Sequence, residues 1–198
     1  MLFRSTILGT KLRAKGPLLV THLGVSGPAA LKLSSYAARL LAENDYKAPL
    51  AISWTGELTR QEVEENLLKL QTANPRKQVA TLHPFGLPSR LWLYILSKLG
   101  IDAVKPWAEI GRKTLNRMIE TLVNDQYTIA GKGAFREEFV TCGGVSLSSV
   151  NSKTLESKVC PNLFFAGEVL DIDAITGGFN LQAAWTTGVV AGQCAAGS

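Results

Sequence analysis

The stretch NLFFAGEVLDIDAITGGFNLQAA, residues 162–184, decides how this chain is read. It opens on a continuous apolar run, Asn162 to Ala166, of the kind that forms strands buried on both faces of an α/β sheet. The run stops at Gly167-Glu168. A loop over 169–176 follows, then Gly177-Gly178, then a helix expected over about 179–196 and rich in Ala, Gly and Thr. A glycine at a strand end lets a ligand approach the backbone, and a carboxylate beside it accepts hydrogen bonds from hydroxyls. A helix that starts on a glycine pair offers unpaired N–H groups and the positive end of its dipole.

Strand, Gly-acid, loop, Gly-Gly-aromatic and small-residue helix, in that order, suit a ribityl chain and the electron-rich pyrimidine edge of a flavin. Upstream, Phe139-Val140-Thr141 reads as a short strand ending in Gly143-Gly144, a second loop beside the same ligand. The candidate cofactor-binding residues are therefore Thr141, Gly143, Gly144, Gly167, Glu168, Gly177, Gly178, Phe179, Asn180 and Gln182. No catalytic residue is singled out. Cys142 has no CxxC partner and reads as a small packed residue before a redox thiol. His22, at the end of an extended run, is a candidate acid or base, with a structural histidine as the plainer reading. Asp171 and Asp173 read as loop caps or cofactor contacts, and Phe179 and Trp185 as ring walls or core. No metal site is expected.

Working toward the N-terminus, the texture becomes mixed. Residues 17–25 read as a strand or an extended approach to a helix, and Ser26-Gly27-Pro28 as the entry of a helix to about Asn44 with Leu31, Ser34, Ala38 and Leu41 on one face. Residues 49–54 read as a strand. Thr59 with Glu62 makes a capping box for a helix to about Gln71, with Val63, Leu67, Leu68 and Leu70 as its apolar face. Helices are also expected from Pro88 to the stop at Gly100, with Leu91, Ile95 and Leu99 inward, and over about 112–124, with Leu115, Ile119 and Leu122 inward. Residues 125–130 alternate like a strand.

The chain has 198 residues, 46% of them apolar and 19% charged, enough apolar material for a real core. Its formal net charge of +5 rests on scattered basic residues, the densest groups being Lys11-Arg13-Lys15 and Arg112-Lys113-Arg117. With no stacking platform beside them, they give no expectation of a nucleic-acid partner. Three well-separated cysteines point to reduced thiols and a cytoplasmic setting. The longest apolar stretches are interrupted by charged or polar residues, so no membrane association is expected, and the first residues show no leader pattern.

The runs LLVTHLGVSGPAAL (18–31), FVTCGGVSL (139–147) and NSKTLESKVCPNLFFAGEVLDIDAITGGFNLQAAWTTG (151–188) carry a resemblance. Over most of residues 5–193 the chain resembles the C-terminal half of the BaiN-type NAD(P)/FAD-dependent oxidoreductases, the aminoacetone oxidase family FAD-binding enzymes. The resemblance implies an α/β fold: an inserted domain of strands and helices over 1–134, then the C-terminal piece of a Rossmann-like FAD-binding domain over 135–198. It implies flavin-dependent redox chemistry on a small-molecule substrate, with FAD as cofactor and NAD(P)H as a candidate electron donor. The family's GxGxxG has no counterpart here: Gly131-Lys132-Gly133-Ala134-Phe135-Arg136 lacks the third glycine. The expectation is a chain that holds the ribityl and flavin side of the site without the ADP grip; the rival is a noncatalytic fragment or binding module.

Overall fold

The computed structural model describes residues 2–131, 140–175 and 177–197. These form two compact units, one of Met1–Leu33 with Asn44–Gly131, the other of Ser34–Glu43 with Lys132–Ser198. The boundary expected at 134/135, the Gly131–Arg136 motif beyond Gly131, and Phe139 lie outside the described residues. The helical stretch 34–43 belongs with the second unit, which a boundary drawn along the sequence did not anticipate.

The first unit is built on strands β1 (Phe3–Ile7), β2 (Arg13–Gly16), β5 (Ala48–Ser53) and β6 (Asp125–Ile129), antiparallel in the order β2-β1-β5-β6. Paired residues share a face, so Phe3, Ser5 and Ile7 join Leu50, Ile52 and Asp125 on the core side. Arg4, Thr6, Arg13 and Lys15 share the opposite side. The hairpin between β1 and β2 turns at Gly9, whose φ of +80° suits glycine, and Thr10 ties it by donating to Ile7 O at 2.9 Å and accepting from Leu12 N at 3.0 Å.

The segment 17–26 forms two short strands, β3 (Leu19–Thr21) and β4 (Gly24–Ser26), where one strand or an extended approach to a helix was expected. Gly24, at φ +143°, lets the chain reverse there, and the side chains of Leu19, Val20 and Leu23 stay exposed. The helix expected to Asn44 is likewise two, α1 (Pro28–Tyr36) and α2 (Ala38–Glu43). Their buried residues are Ala29, Leu33 and Leu41, with Ala37 buried in the turn between them, a four-residue spacing that shares only Leu41 with the expected face. Small alanines permit close packing: a Cβ on Gly16 would meet Ala29 N at 3.3 Å.

Helices α3 (Arg60–Ala73), α4 (Ser89–Lys98) and α5 (Arg112–Val123) follow the expected segments. The α3 capping box is formed: Thr59 N donates to Glu62 Oε2 at 2.7 Å, and Glu62 N donates to Thr59 Oγ1 at 3.3 Å. Val63 and Leu67 of α3, Trp92, Ile95 and Leu96 of α4, and Leu115, Met118, Ile119 and Leu122 of α5 are buried. Trp92 stacks on Trp107 with centroids 6.4 Å apart and donates Nε1–H to Val79 O at 2.8 Å.

One buried carboxylate ties sheet to helices. Asp125 accepts from Trp54 Nε1 at 2.8 Å, from Tyr127 OH at 2.6 Å and from Lys98 Nζ at 2.5 Å, and the Lys98 ammonium stands 4.1 Å from the Tyr127 ring centroid. Burial, followed by the hydrogen bond to Asp125, pushes the Tyr127 phenol far above its ordinary range. A phenol whose value is raised on folding contributes stability that is complete below its unfolded value of about 10 and is lost as pH rises above it. Tyr127→Phe is accordingly expected to flatten the alkaline fall in stability, read as urea midpoints of the two proteins at pH 8 and pH 11. Parallel pH dependences would contradict it.

Candidate functional site

The second unit packs around Val150, Leu155, Leu170 and Ala191, with Val145, Phe164, Phe165, Ile172 and Val190 against them. Residues 162–166 do not form the strand expected there. Among the described residues Phe164 makes one antiparallel bridge, to Glu156, and Leu163 is exposed. A strand buried on both faces needs a sheet on both sides, and the described residues give 162–166 one bridging neighbour, the segment 155–157. Val140 and Thr141 are not in a strand either.

A second frame is firmer. Val145 bridges Leu170 in parallel sense, with Val145 N donating to Val169 O at 2.8 Å and Asp171 N donating to Val145 O at 3.0 Å. Gly144 passes so close beneath this frame that an added Cβ would stand 2.5 Å from Val169 O. Its own backbone neighbours thus account for that glycine. Gly143, at φ +117°, has no described residue within 4 Å of where a Cβ would be.

Gly167, at φ +75°, opens a short 3-10 turn to Val169. Its N–H donates to Thr187 Oγ1 at 2.9 Å on helix α6 (Phe179–Ala195), and Thr187 in turn donates to Ala183 O at 2.7 Å. Six residues before Asn180, Ala174 donates N–H to Asn180 Oδ1 at 2.9 Å and accepts from Asn180 Nδ2 at 3.0 Å. The Gly-acid loop is thereby laced to α6 near both of its ends. Asn180, expected at the cofactor, fastens the loop, and Gln182 donates to Thr186 one turn along at 3.1 Å.

Glu168 is exposed, where a carboxylate behind a buried strand was expected, and its Oε1 accepts from Thr141 N at 3.3 Å. Gly177 and Gly178, at φ +140° and +96°, lead into α6, and among the described residues no side chain caps its first N–H groups and nothing stands within 4 Å of a Cβ placed on either. The two α6 aromatics Phe179 and Trp185 are 63% and 67% exposed, so neither is core. With Leu181 and Val189 they leave an apolar stripe facing outward.

Arg39 carries no signal in the sequence. From α2 its Nη2 donates to Asp171 Oδ1 at 2.7 Å across 132 residues of chain. Beside it, a hydrogen bond to Asp173, followed by burial, pushes the Cys142 thiol above its ordinary value, which leaves it protonated and a poor nucleophile. His22, the other candidate for proton transfer, sits at the exposed tip of the β3–β4 hairpin in the first unit. Among the described residues no three His, Cys, Asp or Glu side chains gather as a metal site, and no helix is long and apolar enough to cross a membrane.

A family model described as HI0933-like protein barrel and H2TH domain matches residues 5–140. The chain belongs to this family. The HI0933-like match takes in the antiparallel sheet and α1–α5, and it ends one residue before the first candidate cofactor residue, Thr141. Three curated relatives are similar as well. Proteins named ribosomal RNA dihydrouridine synthase, from Haemophilus influenzae and Escherichia coli, are each 31% identical over 170 residues, which is 86% of this chain and 40% of theirs. A 3-dehydro-bile acid delta(4,6)-reductase from Clostridium scindens is 29% identical over 197 residues, 97% of this chain and 47% of that protein. The chain therefore spans less than half the length of these relatives.

Proposed function

We propose that the chain is part of a flavin-dependent reductase of the BaiN type, and that its second unit supplies the ribityl and isoalloxazine side of an FAD site as the C-terminal piece of a Rossmann-like domain. The observation that carries this reading is the entry to α6. Two successive glycines in left-handed conformations and, among the described residues, open space where side chains would stand and uncapped helix N–H groups fit a flat, electron-rich ring edge. The exposed Glu168 carboxylate, held by Thr141 N–H, is free to accept ribityl hydroxyls on its remaining lone pairs.

FAD, once bound, supplies hydride for reduction of an electron-poor carbon–carbon double bond, with NAD(P)H as the proposed donor. The relatives' names support this chemistry, since a dihydrouridine arises by adding two hydrogens across a carbon–carbon double bond and a delta(4,6)-reductase acts on double bonds of the same kind. This chain's residues bind and orient. The α6 N-terminus favours negative charge at the ring's pyrimidine edge, the Asn180 clamp fixes the approach loop, and Phe179 and Trp185 offer apolar surface to the ring.

Glu168→Ala is expected to weaken flavin binding by about 1 kcal/mol, roughly fivefold, the modest size following from the exposure of the carboxylate. Glu168→Gln, which keeps an acceptor oxygen, is expected to lose less. Flavin fluorescence titrations measure both, and equal affinities for the wild type and Glu168→Ala would remove Glu168 from the site.

A further inference from the structure

The open face of the first unit's sheet carries a groove of about 570 Å³ that the flavin reading does not use. Arg4, Thr6, Lys11, Arg13, Ser53 and Asn124 are among its lining residues, and among the described residues no acidic one lines it. The strand register explains why these groups converge. Arg13 pairs with Thr6 and Lys15 with Arg4, so three cations of two adjacent strands lie on one face, and Lys11 extends the row from the hairpin turn.

The row is also held in place. Thr10 fixes the turn through its two hydrogen bonds, so Lys11 and Arg13 project from a rigid hairpin. Arg4 has a distant partner in Glu57 at 3.8 Å, while among the described residues no acidic group pairs with Lys11, Arg13 or Lys15. A concave surface with several unpaired cations, hydroxyl and amide donors between them and no opposing carboxylate among the described residues is complementary to a chain of phosphates.

We infer that this groove is a docking surface for the phosphodiester backbone of a nucleic acid, with single-stranded RNA the proposed partner. The inference sets aside the expectation of no nucleic-acid partner: the sequence shows Lys11, Arg13 and Lys15 as one dense basic group, and the strand register adds Arg4 and puts Arg4, Arg13 and Lys15 on one face. It stands apart from the flavin reading, and charge reversal in the groove is expected to leave flavin binding unchanged, so failure of one is distinguishable from failure of the other.

The test is fluorescence anisotropy of a labelled, mixed-sequence 20-nucleotide RNA titrated with the 198-residue chain between 50 and 300 mM KCl. Binding is expected with a log–log salt slope of about −2, as for three neutralised phosphates on a single strand. The Lys11→Glu, Arg13→Glu double variant is expected to bind at least tenfold more weakly at 50 mM, with a slope shallower by about 1.4. Lys69→Glu, a reversal on the exposed side of α3, is expected to shift binding less than threefold. Equal RNA binding by wild type and double variant would overturn the proposal. So would full displacement of RNA by a few millimolar inorganic phosphate, which marks a small-anion pocket, or tighter binding to phosphatidylserine vesicles than to RNA.

Discussion

Asp125→Ala is expected to destabilise the first unit by about 3 kcal/mol or more, the largest loss from any single polar substitution considered. The carboxylate is buried and serves three donors at once, Trp54, Tyr127 and Lys98. Lys98, with a third of its side chain exposed, can turn to water, and Tyr127 keeps a contact at 3.3 Å with Tyr94 OH. Trp54 can do neither: at 1% exposure its indole N–H is stranded. Asp125→Asn, which retains an acceptor for Trp54, is expected to lose less. Hydrogen exchange of the β5 and β6 amides, with the second unit as internal reference, measures the difference. Protection unchanged in Asp125→Ala would show that the network contributes nothing to holding β6.

Gly144→Ala is expected to cost the second unit a comparable amount, about 3 kcal/mol or more, because it combines a steric conflict with a strained backbone. Its Cβ would stand 2.5 Å from Val169 O and 2.9 Å from the Leu170 carbonyl carbon, at φ +147°. Relief requires parting the Val145–Leu170 bridge, and Leu170 is core. Gly143→Ala, next door at φ +117° with open space, is expected to cost only about 1–2 kcal/mol of backbone strain. Exchange at the Leu155 and Phe165 amides, whose hydrogen bonds lie in that core, distinguishes the two variants. Equal losses would mean that the conflict at Gly144 is relieved without opening the bridge.

Local signals were legible in the sequence where the physics is local. The Thr59–Glu62 box, the Gly100 stop and the spacing of Leu115, Ile119 and Leu122 each place a helix without knowledge of neighbours. What depends on distant partners was not. The apolar run 162–166 reads as a sheet strand, yet a strand exists only through its neighbours, and Phe164 finds a single bridge. The hairpin at 19–26 hid in one apolar run because its reversal rests on Gly24. Arg39 carries no motif and meets Asp171 through the fold alone. Within the candidate site the sequence located the glycines but could not sort them: Gly144 is bound by its own backbone, whereas Gly177 and Gly178 face open space. Nor could it tell that Asn180 closes a loop.

The flavin site is tested most directly by titrating the 198-residue chain in parallel with FAD and with FMN and following the flavin fluorescence, for the wild type and for Gly178→Val. If the second unit binds the ribityl and ring portion, the two flavins bind saturably with affinities within about threefold of each other, since the ADP half adds no contact, and Gly178→Val, with a branched side chain at φ +96°, abolishes both. No saturable change with either flavin, or the same binding curve for Gly178→Val as for the wild type, would contradict the assignment.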